Sequence, residues 1–135
     1  KQQIKELLTT PEMYYYSHYY LNLMAPYGMI AAYGDSRQTD NWDRWLVYFE
    51  TAANVYSNPE LKWAATIIAN KFVDFNSKAS TGIAYELLDA YRWGTDKINP
   101  EIPKNLSQEV MEDVQGKKIV MRNGWDPKSS FSLVS

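Results

Sequence analysis

The sequence predicts a mainly α-helical chain that ends in a β-hairpin, and three observations support this prediction. Apolar residues recur at helical spacing through most of the first two thirds of the chain. A helix-capping residue stands directly before a proline at Thr10-Pro11 and again at Asn58-Pro59. Apolar and polar residues alternate over 130–135, as they do in a half-buried strand.

We expect three parts that differ in composition. The first is a helical-hairpin array, in which paired helices are joined by short capped turns. The second is rich in proline, acidic and polar residues, which is typical of a linker between domains. The third has strand propensity on both sides of a turn. The predicted bounds of the three parts are 1–94, 95–116 and 117–135.

The first helix is predicted to begin at residues 9–12, Thr-Thr-Pro-Glu. A threonine can accept the first free amide hydrogens, proline fits the first turn, and an acid complements the helix dipole. The helix continues to about Met24 and is apolar or aromatic around most of its circumference, which favours burial on several sides. Pro26 ends it. The connection over 25–40 is long, and loops of this length in compact domains are often functional.

Three further helices are predicted over about 41–56, 59–75 and 80–93, with Asp40 and Asn58 as caps of the first two. In each helix the apolar residues recur on one face. The side chains expected to point inward are Trp42, Trp45, Leu46, Phe49, Ala52, Ala53 and Tyr56, then Leu61, Ala64, Ala65, Ile68 and Phe72, and finally Ile83, Leu87, Leu88 and Tyr91.

The C-terminal segment is predicted to form a hairpin. Residues 117–122 have strand propensity, and Asn-Gly-Trp-Asp-Pro at 123–127 is typical of a turn, with Trp125 expected to pack against the helical domain. A two-stranded hairpin is marginally stable by itself and leaves unpaired edges. Because the sequence stops inside the second strand, we expect a fragment whose partner is the remainder of the same polypeptide.

Composition and charge exclude several classes of function. A formal net charge of −2 gives no footprint for nucleic acid. No apolar run reaches the roughly 18 residues that span a bilayer, so we expect no membrane partner. The chain has no cysteine and therefore no thiol chemistry, and His18 alone cannot build a multi-histidine metal site; we predict no metal and no cofactor. The opening residues lack the apolar region of a signal peptide, so we expect any export signal upstream.

The order of three stretches along the chain is informative. A tyrosine-rich helix leads into Pro-Tyr-Gly at 26–28 and Gly-Asp-Ser at 34–36. The helix over 42–56 is followed by Asn-Pro-Glu-Leu-Lys-Trp-Ala-Ala at 58–65. Lys-Ile-Val-Met-Arg-Asn-Gly-Trp-Asp-Pro at 118–127 then precedes an apolar strand. In this order they resemble the heparinase II/III-type polysaccharide lyases and their alginate-lyase relatives.

The resemblance implies the C-terminal part of an (α/α) toroid, a linker, and the first strands of an antiparallel β-sandwich. It implies β-elimination of a uronic-acid-containing polysaccharide, an anionic poly- or oligosaccharide partner, and a periplasmic or extracellular location. In that chemistry the sugar carboxylate is neutralised so that the neighbouring carbon can lose a proton, and tyrosine or histidine acts as base and acid. The family's asparagine–histidine region and its sandwich histidines would lie outside 1–135, so we expect a lyase parent but no independent activity from this chain.

Six residues are candidates for the site that the resemblance implies. Tyr27 and Tyr33 are the candidate catalytic phenols, with Arg37 as the cation that would favour a phenolate. The candidates for binding substrate are Asp35, Arg37, Trp42 and His18. Each also has a structural interpretation: anchoring the loop for the tyrosines, a backbone bond for the aspartate, a surface ion pair for the arginine, and packing for the tryptophan and histidine.

Two other classes of function remain open. A glycoside hydrolase on a similar α/α barrel needs two carboxylates roughly 5–10 Å apart across a cleft. Asp35, Asp40 and Glu50 are the available acids. A non-catalytic helical domain that binds glycans or protein on an aromatic surface needs no such pair.

Overall fold

The computed structural model describes residues 6, 9–30, 41–72, 81–104, 111–113 and 118–134, without the side chains of 81–84 and 111–113. The helices are Pro11–Asn22 (α1), Trp42–Tyr56 (α2), Pro59–Phe72 (α3) and Thr81–Trp93 (α4). The strands are Met24–Ala25 (β1), Met29–Ile30 (β2), Met111–Asp113 (β3), Lys118–Arg122 (β4) and Phe131–Val134 (β5). The predicted mainly helical chain is confirmed, and no helix in these ranges is long and apolar enough to cross a membrane.

The α2–α3 hairpin is the centre of the fold. Asn58 caps α3 as predicted, because its Oδ1 accepts hydrogen bonds from the amides of Glu60 at 2.8 Å and Leu61 at 3.1 Å. Ser57 takes a left-handed φ of 50° at the end of α2 and turns the chain into this cap. The two helices bury Trp63, which was not predicted to point inward. The other side chains that they bury were predicted to do so: Leu46, Phe49, Ala52, Ala53, Leu61, Ala64, Ala65 and Ile68.

Helix α1 begins as predicted but is buried on one side alone. The Thr10 side chain accepts a hydrogen bond from the Met13 amide at 3.4 Å. Ser17 and Leu21 face α2 and α3, whereas the three tyrosines at 14–16 are 46, 67 and 49% exposed. Burial on several sides was therefore the wrong expectation. Consecutive residues point in different directions around a helix, so a run of three rings cannot share one packed face.

Helix α4 packs against α2 along a row of small and aliphatic residues. Leu87 and Ala90 lie toward the α2–α3 hairpin, and the row continues to Gly94. The predicted inward positions of Leu88 and Tyr91 are wrong, since these side chains are 62 and 89% exposed. They lie on the neighbouring row of the helix, which faces solvent.

The C-terminal strands form an antiparallel sheet in the order β3-β4-β5. Strands β4 and β5 flank the predicted turn, where Asn123 Oδ1 accepts a hydrogen bond from the Ser130 amide at 2.8 Å. Strand β3 comes from the range predicted as a linker and pairs with β4 through Met111 and Val120. The hairpin thus gains a third strand, which isolated hairpins need for stability.

Two side chains attach the sheet to the helices. Trp125 is 3% exposed, and its ring lies 5.2 Å from that of Trp63 on α3, so the predicted packing of this tryptophan is confirmed. Arg122 is buried beside it, with its guanidinium 4.1 Å over the Trp125 ring, and donates hydrogen bonds to the carbonyls of Asn22 and Met24. Burial lowers the pKa of Arg122 to about 10, which leaves the group protonated at neutral pH.

Candidate functional site

Tyr27 lies in the tight turn between β1 and β2. The Gly28 amide donates to the Ala25 carbonyl at 2.9 Å, which closes a turn with Pro26 at its second position. Gly28 has a φ of +89°, and a Cβ atom there would lie 2.6 Å from Cγ2 of Ile67. Glycine therefore permits this close approach of the turn to α3, and the predicted long connection begins as a packed hairpin.

A lysine lies beside this candidate phenol. The Lys71 ammonium group is 5.5 Å from the centroid of the Tyr27 ring, within the range of a cation–π interaction. Lys71 is exposed and Tyr27 half-buried, so the cation is in contact with both solvent and the ring. The sequence assigned the nearby cation to Arg37 and gave Lys71 no role.

Three of the predicted site residues, Tyr33, Asp35 and Arg37, lie in 31–40, outside the described residues. Their assignment stays a prediction. The same holds for Asp40 as a candidate acid. Its predicted role as the cap of α2 is wrong, since Asn41 occupies the N-cap position of that helix.

Trp42 is engaged in packing. Its ring stacks on that of Phe72, with centroids 5.5 Å apart and planes at 13°. Behind it, Gly28, Trp45 and Ile68 help to enclose a void of about 10 Å³, barely enough for one water molecule. One face of the indole is therefore occupied by protein, and at most the other could contact a sugar.

His18 joins α1 to the start of α3. Its Nδ1 lies 3.0 Å from the Tyr14 carbonyl, which can only accept, so Nδ1 carries the proton. Because Asn58 Oδ1 accepts from Glu60 and Leu61, its Nδ2 is free to donate to His18 Nε2 at 3.4 Å. Both ring nitrogens of His18 are therefore hydrogen-bonded within the protein, as in a structural histidine.

The described candidates therefore fall at two ends of α3. His18 contacts Asn58 at its start, while Trp42 contacts Phe72 at its end. A helix of 14 residues is about 20 Å long. The structure brings Tyr27, Lys71 and Trp42 to one end and leaves His18 at the other.

The pKa values of two other tyrosines are shifted in the direction that disfavours catalysis. Tyr48 is hydrogen-bonded to Ser17 at 3.0 Å, and burial, with smaller contributions from the neighbouring tyrosines, raises its pKa. Burial also raises the pKa of Tyr56. A raised pKa leaves less phenolate at neutral pH, so neither side chain is suited to act as a base. Both are partly buried and pack against the core.

A groove between α2, α3 and α4 was not predicted. At one end Lys62 Nζ contacts both carboxylate oxygens of Glu50, at 2.7 and 2.8 Å, and each of these side chains is 15% exposed. The two residues lie on different helices, so no spacing in the sequence indicates the pair. In the part of the chain that the structure describes, no three histidine or acidic residues cluster as metal ligands would.

Comparison with known protein families, with curated proteins and with solved structures finds no match to this chain.

Proposed function

We propose that this chain is the substrate-binding part of a polysaccharide lyase of the heparinase II/III type, with Tyr27 as its catalytic phenol. The observation that carries the proposal is the position of the Lys71 ammonium, 5.5 Å from the Tyr27 ring. The helices would then belong to the end of an (α/α) toroid, and the β3-β4-β5 sheet to the start of a β-sandwich.

Lys71 suits the anionic part of the substrate. Its side chain is exposed at the end of α3, and the salt bridges among the described residues join other side chains. Within the described ranges, a uronate carboxylate would displace no protein carboxylate when it approaches the ammonium. The Tyr27 ring beside it offers an apolar surface to the sugar.

The same pair suits the chemistry of elimination. Removal of the proton next to a carboxylate places negative charge on that carboxylate, and a cation there stabilises the charge as it develops. Tyr27 would take the proton from the carbon next to the carboxylate, the glycosidic C–O bond would break as the carbon–carbon double bond forms, and Tyr27 would return the proton to the leaving oxygen. Lys71 would stabilise the carboxylate. Trp42, at the same end of α3, has one indole face that Phe72 does not cover, and that face would take a neighbouring sugar.

The hydrolase alternative has a weaker basis. Glu50 and Asp96 do line one groove, and Asp96 was not among the acids singled out from the sequence. Both oxygens of Glu50 are bonded to Lys62, however. A general acid must carry a transferable proton, and an ion-paired carboxylate does not.

The test has two readouts, elimination and binding. The full-length natural protein is incubated with a panel of uronic-acid polysaccharides while the ultraviolet absorbance of the unsaturated product is followed. Binding is measured in parallel by affinity electrophoresis. We expect an absorbance rise that disappears in Tyr27→Phe with binding retained. Lys71→Met should weaken binding, whereas the matched change of an exposed lysine elsewhere, Lys97→Met, should not.

Each other outcome would favour a different class of function. New reducing ends without the absorbance rise would replace the lyase by a hydrolase. Binding without either product would favour a non-catalytic domain, for which the exposed tyrosines 14–16 supply a surface. Equal binding by Lys71→Met and Lys97→Met would remove the observation on which the proposal rests.

A further inference from the structure

The groove between α2, α3 and α4 is open to a small molecule. Its volume is about 480 Å³, within the range of small-molecule sites. Leu46, Ala69, Leu87 and Ala90 make its wall apolar. The lyase proposal does not use this groove, which lies on another side of the α2–α3 hairpin from Tyr27.

At one end of the groove two charged side chains hold each other in place. The Glu50 carboxylate and the Lys62 ammonium neutralise each other at 2.7 and 2.8 Å. Gly94 makes room for them, since a Cβ atom there would lie 2.5 Å from Glu50 Oε2. The pair therefore presents hydrogen-bonding atoms but no net charge.

Asp96 adds a negative charge at the rim, where it is exposed and lines the same groove. Of the described side chains that line the groove, Glu50, Lys62 and Asp96 are charged, and together they carry a net charge of −1. Tyr91, 89% exposed, lines the rim as well. A carboxylate together with an aromatic ring is the combination that recognises organic ammonium groups.

The apolar wall fits an extended body. Lys62 and Ala69 mark the two ends of the groove along α3, and a separation of seven helical residues is about 10 Å. A ligand that places its charge near Asp96 and Tyr91 can lay an aliphatic or aromatic chain of that length toward Ala69 and Leu87.

We propose that the groove between α2, α3 and α4 binds a small organic cation, an ammonium group attached to an apolar body about 10 Å long. This inference is independent of the lyase proposal. It rests on the net charge, the exposed ring and the apolar wall of the groove, none of which involves Tyr27 or Lys71.

The test is titration calorimetry of the full chain at low ionic strength with hexyltrimethylammonium, hexanol and hexanoate. We expect the cation to bind about tenfold more tightly than hexanoate, because Asp96 attracts one and repels the other. Tyr91→Ala should weaken binding of the cation about fivefold, and Asp96→Asn about threefold. Tyr85→Ala changes an exposed tyrosine on the same helix outside the groove and should have no effect.

A second variant tests the body of the ligand separately from its charge. Ala69→Leu fills the apolar end, so it should weaken hexyltrimethylammonium but leave tetramethylammonium unchanged. The proposal is overturned if hexanoate binds as tightly as the cation, if the cation shows no saturable binding, or if Tyr85→Ala and Tyr91→Ala act alike. Thermal melts of the variants at exposed positions, Tyr85→Ala, Tyr91→Ala and Asp96→Asn, are expected to match the melt of the unsubstituted chain. This control separates loss of binding from loss of fold.

Discussion

Two sides of the α2–α3 hairpin differ in how completely they are filled. On the first, Trp42, Trp45 and Phe72 meet the β1–β2 hairpin and leave about 10 Å³. On the second, α4 approaches through Ala90 and Gly94 and leaves about 480 Å³. The aromatic residues that suggest a binding site in the sequence are the ones that close space in the structure. Open space occurs where the facing residues are small.

The largest difference between the two sides is expected in stability. Phe49 is fully buried in the core, and Phe49→Ala should lower the free energy of unfolding by about 3–5 kcal/mol because it leaves a cavity. Leu87→Ala, in the wall of the open groove, should cost less than half as much, since Leu87 is already half-exposed to that space. Urea denaturation measures both. Equal losses would mean that the groove is as tightly packed as the core.

The two glycines that face the hairpin provide a matched pair. Gly28→Ala should cost about 2–4 kcal/mol, because it combines a left-handed φ with overlap onto Ile67. In Gly94→Ala the added methyl group would lie 2.5 Å from Glu50 Oε2, which can move aside, and 2.6 Å from the Ala90 carbonyl oxygen, which is held in the backbone. Gly94 has no left-handed φ to add to this overlap, so we expect a smaller loss than for Gly28→Ala, and thermal melts of both variants check the order.

The ion pair in the groove should contribute less than the packed glycine turn. Lys62→Met leaves a mostly buried carboxylate without its partner and should cost about 1–2 kcal/mol. Glu50→Gln in the same background should recover part of that loss, because it removes the unpaired charge. A double-mutant cycle measured at low and high salt gives the coupling. An additive cycle would show that the pair does not stabilise the fold.

The smallest effect concerns a phenol on the packed side and depends on pH. Tyr48→Phe removes the hydrogen bond to Ser17 and should cost about 1 kcal/mol at neutral pH. Because burial raises the pKa of Tyr48, the unfolded chain loses this proton first, near pH ~10, and the folded protein loses stability as the pH rises further. The difference in the free energy of unfolding between the unsubstituted chain and Tyr48→Phe should therefore shrink above about pH 10. Tyr85→Phe, at an exposed position, controls for general effects of alkali.

Local signals predicted the helices well. Asn58-Pro59 marked the start of α3, and the apolar rows of α2 and α3 identified their buried residues other than Trp63, because both signals depend on neighbours within one helix. The exposure of Leu88 and Tyr91 could not be predicted in this way. Which of two adjacent rows on α4 is buried depends on how that helix meets α2, and no periodicity within α4 records it.

The same limit applies to the candidate site. Tyr27 was found because a phenol lies in a proline–glycine turn, but its companion Lys71 is 44 residues away in sequence (71 − 27 = 44). Glu50 was singled out as a possible acid, and its partner Lys62 was not, since the contact forms only when α2 and α3 fold back on each other. Contacts that tertiary packing forms between distant residues leave no pattern in a single sequence.

The contact made by Arg122 has a consequence for how the chain folds. Helix α1 has no basic residue in its last turn, where the helix macrodipole leaves partial negative charge on the carbonyls. Arg122 supplies the missing positive charge from β4, 100 residues further along the chain, by donating a hydrogen bond to the Asn22 carbonyl. Contacts so distant in sequence raise the contact order, and the entropy of closing so long a loop delays their formation. The end of the first helix is therefore completed only when the sheet docks, and the early and late parts of the described chain reach their final stability together.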